Sequence, residues 1–190
     1  MNIDYLCIAP HKGLYAPMGI GILIAQKPIR DTLIEGGTGS NSISFIQPEE
    51  MPERLESGTV NLPAAMGEKA GAEFVLSKRI DKIYRYEMML TEYIFTELSR
   101  MENIVLYTPR PTLGQYAPVL SFNVSGLASE KVALLLDKSG IAVRAGLHCA
   151  PAAHRRLGTV GGGTVRICPS VFSTKKEADF LVNALKKIKL

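Results

Sequence analysis

The longest periodic stretch of the chain sets its plan. After Pro63, the residues Leu76, Ile80, Ile83, Leu90, Ile94 and Leu98 recur at helical spacing, interrupted only by Glu87. This spacing predicts one long linking helix over 63–102, with a body on either side: residues 1–62 before it and 103–190 after it. The first body begins with two β-like runs, IDYLCIA from Ile3 and GIGILIA from Gly19, separated by Pro10-His11-Lys12-Gly13. From Gln26 to Asn61 the chain is loop-rich, with several prolines and the run Gly36-Gly37-Thr38-Gly39-Ser40. So long an irregular stretch is usually functional or wraps a partner.

The second body reads as an α+β unit. NIVLYTP (103–109) and PVLSFNV (118–124) are strands. In the latter, Leu120, Phe122 and Val124 alternate with Ser121 and Asn123. Ser129 is positioned to cap a helix carrying Val132, Leu135 and Leu136, and Gly140 to end it. IAVRAG is a strand, the segment around Cys149 a loop, and TVRIC (164–168) a further strand. Thr174-x-x-Glu177 has the form of a capping box and opens a last helix with Leu181, Ala184, Leu185 and Ile188 facing inward. Strands and helices in this order predict a sheet with its helices on one face. The fold class over the whole chain is therefore α/β to α+β.

Composition narrows the classes of function. Hydrophobic residues make up 46% and charged residues 21%, as in soluble globular chains. No run approaches the roughly 18 apolar residues of a membrane span, and no signal peptide is visible. The formal charge of +4 is mild, and no aromatic-basic platform accompanies it, so neither nucleic acid nor membrane is an expected partner. Cys7, Cys149 and Cys168 form no framework spacing and suit a reducing cytoplasm.

Four features carry chemistry. Cys149 lies among Arg144, His148, His154, Arg155 and Arg156. Nearby cations favour the thiolate, which is the nucleophile, although a half-buried cysteine beside a solvated basic face has the same sequence. Zinc ligation is disfavoured, because His148, Cys149 and His154 lack paired ligand spacing. Lys12 stands just past a strand end beside Gly13, where an amine can form a Schiff base or simply be exposed in a turn. The Gly36–Ser40 run offers peptide N–H groups and hydroxyls to a phosphate, or is a flexible turn. Arg166, mid-strand between apolar neighbours, either grips a carboxylate with its planar fork or faces water.

Taken in order, HKGLYAPMGIGILI, the glycine-threonine loop, RLESGTVN (54–61), RAGLHCAP and TVRICPS resemble the cysteine desulfurases of the class-V aminotransferase superfamily, fold-type-I enzymes dependent on pyridoxal phosphate. The resemblance covers almost the whole chain. It implies that Lys12 holds the cofactor covalently and later moves protons at the substrate carbon. His11 would help bind the cofactor phosphate, and Gly37 and Thr38 would reach the phosphate of a neighbouring subunit's cofactor in a homodimer. Arg166 would clamp the carboxylate of L-cysteine. Cys149 would attack the substrate sulfur, release alanine, and carry a persulfide to an acceptor such as an iron–sulfur scaffold protein.

Two departures qualify the resemblance. Ala9 stands three residues before the lysine, where the family commonly has Ser or Thr. The sequence also begins only a few residues before Lys12, so the upstream half of the family is expected to be absent from this chain. That half carries the main phosphate-binding turn, the stacking aromatic and the acid that pairs with the pyridine nitrogen. Asp4 is misplaced for that last role. The expected architecture is thus the C-terminal portion of a PLP-transferase fold: a remnant of the large cofactor-binding domain (1–62), the linking helix (63–102) and the small C-terminal domain (103–190). On its own such a chain is expected to bind pyridoxal phosphate weakly and to turn over no cysteine. Its first two strands are expected to be unpaired, with self-association or disorder there. A selenocysteine lyase, another class-V enzyme, or a non-catalytic folding or interaction domain are the alternative readings.

Overall fold

Arg79 breaks the long helical stretch in two. In the computed structural model, which describes residues 2–37 and 39–188, helix α1 spans Leu62–Lys78 and helix α2 spans Ile80–Leu98. Arg79 adopts φ 68°, and its N–H closes onto the carbonyls of Val75 and Leu76. No glycine or proline marks the break. The cause lies in the phase of the apolar stripes. α1 buries Ala64, Gly71 and Val75, whereas α2 buries Ile83, Leu90, Ile94 and Leu98. At about 100° per residue these two stripes point roughly a third of a turn apart on one continuous helix. Leu76 and Ile80, expected on the shared stripe, are instead exposed. The chain divides into two units at this point, Met1–Arg79 and Ile80–Leu190.

In the first unit, β1 (Tyr5–Ile8) and β2 (Ile22–Ala25) pair antiparallel, with Tyr5 opposite Ala25 and Ile8 opposite Ile22. The expectation that these strands are unpaired is therefore corrected: each satisfies one edge of the other. Their side chains remain largely uncovered, and Tyr5, Leu6, Leu23 and Ile24 are exposed. Residues 26–61 contain no helix or strand among those described, as their composition predicts. Asn61 then caps α1, its Oδ1 accepting from the Ala64 N–H at 3.2 Å, with Pro63 in the first turn.

The second unit is a four-stranded antiparallel sheet with helices on one face. β3 (Ile104–Leu106), β4 (Leu120–Val124), β5 (Arg144–Gly146) and β6 (Thr164–Ile167) lie in the order β3-β4-β6-β5. Leu120, Phe122 and Val124 of β4 and Val165 and Ile167 of β6 meet Ile94 and Leu98 of α2, Val132 and Leu136 of α3 (Ser129–Asp137), and Leu181 and Leu185 of α5 (Lys175–Lys186). The capping box of α5 forms as expected, with Thr174 and Glu177 exchanging side-chain and backbone hydrogen bonds. α5 is also tied to α2 by the Tyr86 hydroxyl on Ser173 O at 2.7 Å and by the Tyr93 hydroxyl on Asp179.

Two local expectations change. Ser129 is the first residue of α3 rather than its cap; Ala128 holds that position, and the Ser129 hydroxyl donates to Gly162 O at 2.6 Å. Residues 151–157, expected as loop, form helix α4 (Pro151–Leu157). Pro151 fits a first turn, and Gly158 ends the helix in the left-handed region.

The core makes one energetic expectation definite. Phe122 is fully buried at the centre of the second unit's cluster. Phe122→Ala should cost about 3–5 kcal/mol, seen as a lower urea midpoint by circular dichroism with an unchanged slope.

Candidate active site

In the first unit, Lys12 sits on a turn built by backbone bonds. The carbonyl of Pro10, a buried residue, accepts from the N–H groups of Leu14 and Ala16, each at 3.2 Å, and Lys12 N–H reaches Ala9 O at 3.1 Å. Helix α1 presses directly on this turn. A Cβ on Gly71 would stand 2.0 Å from Leu14 O, and one on Gly67 would stand 2.6 Å from the Pro17 ring. Tyr15, at φ 54°, sets its ring edge-on to Phe74 of α1 with centroids 5.5 Å apart. Lys12 and its neighbour His11 are thus exposed side chains on a clamped backbone. Two glycines four residues apart inside a helix lower its propensity, and that spacing was the available sign of a close approach.

Gly37 belongs to a different part of the same unit. Its carbonyl accepts from Gly58 N–H at 2.9 Å, and the N–H of Gly36 reaches Gln47 Oε1 at 3.4 Å. Gln47 is only 6% exposed in an otherwise open segment, and its amide donates to Glu53 O and Glu56 O at 2.9 and 3.0 Å. Arg54, from RLESGT, donates to the carbonyls of Pro48 and Arg30. These two side chains give the irregular segment its shape. Thr38 lies outside the described residues.

In the second unit, the β5–β6 register places Arg144 directly opposite Arg166, and Arg166 lies opposite Ser121 on β4. This is the sheet face away from the helices, since the alternate residues Phe122 and Val165 point into the core. No acidic side chain pairs with either arginine among the described residues. Like charges opposite one another on a sheet repel, so an anion is the natural occupant of the space between their guanidinium groups. Arg144 Nη2 also lies 3.6 Å from Cys149 Sγ. Cys149 and Arg166 are therefore brought to one face, linked through Arg144.

The thiol is carried on an unusual backbone. His148 and Cys149 have φ 54° and 59°, two consecutive left-handed residues without glycine. His148 Nε2 lies 2.9 Å from Thr164 O and 3.2 Å from Thr164 Oγ1, which anchors this turn to β6. Since a carbonyl only accepts, Nε2 carries the proton and donates, leaving Nδ1 as a buried lone pair without a partner. Burial pushes the His148 imidazole below its usual range; the bond to Thr164 opposes this, while Arg166, His154 and Arg144 add to it. Burial raises the Cys168 thiol against the opposing effect of Arg166. Among the described residues, no group of His, Cys, Asp and Glu is arranged to hold a metal ion.

Residues 1–181 match the family described as Aminotransferase class-V. The chain belongs to this family. It is 36% identical over 99% of its length to a probable cysteine desulfurase of Pyrococcus abyssi, covering 47% of that protein. It is 30% identical over 97% of its length to one of Synechocystis sp., covering 44%. Its fold matches the apo cysteine desulfurase of Thermococcus onnurineus NA1 with a TM-score of 0.80 at 31% identity, over 97% of this chain and 46% of that one. An S-sulfonic acid form of a cysteine desulfurase from Escherichia coli matches with a TM-score of 0.84 at 27% identity, over 98% and 46%. The chain thus has part of the PLP-transferase fold, a mixed α/β architecture, and spans about half the length of the curated relatives it matches.

Two outcomes follow from this geometry. Gly71→Ala should displace the Lys12 turn, read as faster amide exchange over residues 10–16 while residues 104–186 keep their protection. In an NMR titration the His148 ring should remain neutral through pH 7 and protonate below the ordinary midpoint of about 6.5, and Arg166→Gln should move that midpoint upward. The sign follows from linkage. A histidine that is harder to protonate in the folded state favours unfolding as pH falls below the unfolded value, so its effect on stability is destabilising on the acid side.

Proposed function

We propose that this chain carries the lysine, the carboxylate clamp and the nucleophilic thiol of a pyridoxal-phosphate-dependent cysteine desulfurase. The observation that carries this reading is the Arg144–Arg166 pair beside Cys149. It is an unneutralised cationic face with a thiol at its edge, suited to an anionic substrate that gives up a sulfur atom. In this reading residues 1–62 are part of the large cofactor-binding domain, 63–102 link it to the rest, and 103–190 form the small domain.

The residues present fit the cofactor's needs in kind. Lys12 offers an amine on a rigid turn, with His11 beside it. Gly37, with open space where a Cβ would stand, lets a phosphate approach the backbone, and Thr38 adds a hydroxyl. Arg166, whose buried Nε lacks a partner, offers a fork to a carboxylate. When bound, the cofactor supplies an electron sink at the substrate's α-carbon. Lys12 takes and returns the proton at that carbon. Arg166 holds the carboxylate and fixes which bond is aligned for reaction. The sulfur of Cys149 attacks the substrate sulfur; an S–S bond forms as the C–S bond breaks, and the electron pair left on carbon takes a proton. Alanine leaves, and Cys149 keeps a persulfide. The persulfide then passes to an acceptor thiol, with an iron–sulfur scaffold protein as the expected partner. Three free cysteines, Cys7, Cys149 and Cys168, suit a reducing compartment such as the cytoplasm. The homodimer implied for Gly37 and Thr38 belongs to the same reading.

The test is incubation with L-cysteine and pyridoxal phosphate, with and without a polypeptide equivalent to the remaining half of the relatives, followed by mass analysis of Cys149. Persulfide on Cys149 with release of alanine is expected in the combined sample. Cys149→Ser should abolish the persulfide while leaving the cofactor's visible absorption band intact, and Lys12→Ala should remove that band. Cofactor binding with no sulfur transfer in any combination would refute the desulfurase assignment and leave a non-catalytic role.

A further inference from the structure

His154 is a charged-type side chain that is only 4% exposed, and the chemistry above does not use it. Its Nδ1 lies 2.8 Å from Thr159 Oγ1 in a buried hydrogen bond. Its ring packs against that of His148, with centroids 5.6 Å apart and a 46° tilt. His148 in turn is fastened to Thr164 and precedes Cys149 in the left-handed pair. We propose that His154 is the positioning residue of the Cys149 turn, acting through His148 to hold the thiol against Arg144.

The framework behind His154 is rigid for stated reasons. Thr159 is buried, its N–H donates to His154 O at 2.9 Å, and its own carbonyl accepts from Gly163 N–H at 2.8 Å. The next residues are pinned from two other elements: Ser129 of α3 donates to Gly162 O at 2.6 Å, and Asn123 of β4 donates to Gly163 O at 3.0 Å. Gly163 lies so close to Gly146 of β5 that a Cβ there would stand 2.5 Å from its backbone. The 159–163 segment is therefore fixed to β4, β5 and α3, and His154 carries that fixity to His148. Without such support, two consecutive left-handed residues that are not glycine would relax, since each carries a Cβ that the left-handed region disfavours. The distance from Cys149 Sγ to Arg144 is the quantity at stake.

The experiment compares alkylation of Cys149 by anionic iodoacetate and neutral iodoacetamide in the full chain, with Cys7 and Cys168 as internal references and peptide mass analysis as readout. A cation beside Sγ favours the anionic reagent, so the rate ratio reports the Arg144 contact. Arg144→Gln should lower the ratio at Cys149 by threefold or more. His154→Ala and Thr159→Val should lower it by a similar factor without changing the ratios at Cys7 and Cys168, and Thr159→Ser, which keeps the hydroxyl, should restore it. Should His154→Ala fail to fold, Thr159→Val decides. A wild-type ratio in His154→Ala and Thr159→Val alongside a lowered one in Arg144→Gln overturns the inference. So does a ratio that ignores Arg144→Gln, because the described contact is then not the one present in solution. The inference deepens the role proposed for Cys149 and rests on that reading for its purpose alone. The assay uses neither cofactor nor cysteine substrate, so a failure of desulfuration and a failure of positioning are told apart.

Discussion

The pairing of β5 with β6 is the constraint on which the candidate site depends. It sets Arg144 opposite Arg166 and so concentrates positive charge at one point of a sheet face. That arrangement works against the stability of the sheet taken alone. It is tolerated because the opposite face buries Phe122 and Val165 against helical partners, and burial of this kind outweighs one such repulsion. The same antiparallel ladder aligns Gly146 with Thr164, which is where His148 attaches. A slip of one residue between β5 and β6 would turn Arg144 to the core face, while Arg166 stays outward because β4 fixes β6. The apolar alternation of β4 and β6 and the charge pattern of the site therefore specify each other.

Much of this was legible in the sequence. The alternation of Leu120, Phe122 and Val124, the capping box at Thr174 and the strand around Arg166 all depend on local pattern, and all stand in the structure. What escaped was set by tertiary contact. The break at Arg79 follows from two units needing different helix faces, and no local breaker records it. The pairing of β1 with β2 leaves no local mark, because the turn between the strands is long and carries no hairpin signature. Ser129 satisfies Gly162, thirty-three residues away, and at that distance its hydroxyl looks like a local cap. Helix α4 was hidden by Ala150-Pro151, which reads equally as loop or as a helix start.

The site residues divide in the same way. Lys12, Cys149 and Arg166 each leave a plain reading open when taken alone; it is the order of the motifs around them that singles them out as candidates. The residues that hold the backbone around them are less legible: Gly71 meets Leu14 O far away in sequence, Gln47 reaches Gly36, Glu53 and Glu56 across a loop with no periodicity, and the ring contact of His154 with His148 depends on a helix that the sequence reads as loop. Gln47 shows this well. In sequence it is one polar residue in a polar loop; in the structure it is the buried amide that joins the backbone of Gly36 to that of Glu53 and Glu56. Buried polar groups with all partners satisfied specify one arrangement, and here that arrangement includes the backbone of Gly36 and Gly37.

A division of labour follows for the two units. The first supplies an amine and a glycine loop on backbone held by close approach, at Gly67 and Gly71, and by one buried amide. The second carries the arginine pair and the Cys149 thiol, the nucleophile of the proposed reading, on a sheet whose far face is a complete core. The first unit leaves Tyr5, Leu6, Leu23 and Ile24 uncovered around its two strands, whereas the second buries the inward residues of both central strands. Strain is placed accordingly. The left-handed His148–Cys149 pair lies in the unit with the stronger core and is backed by the buried His154–Thr159 bond. An exposed thiol held in one direction, as the proposed reading requires of Cys149, needs that backing, because hydration is isotropic and fixes no orientation.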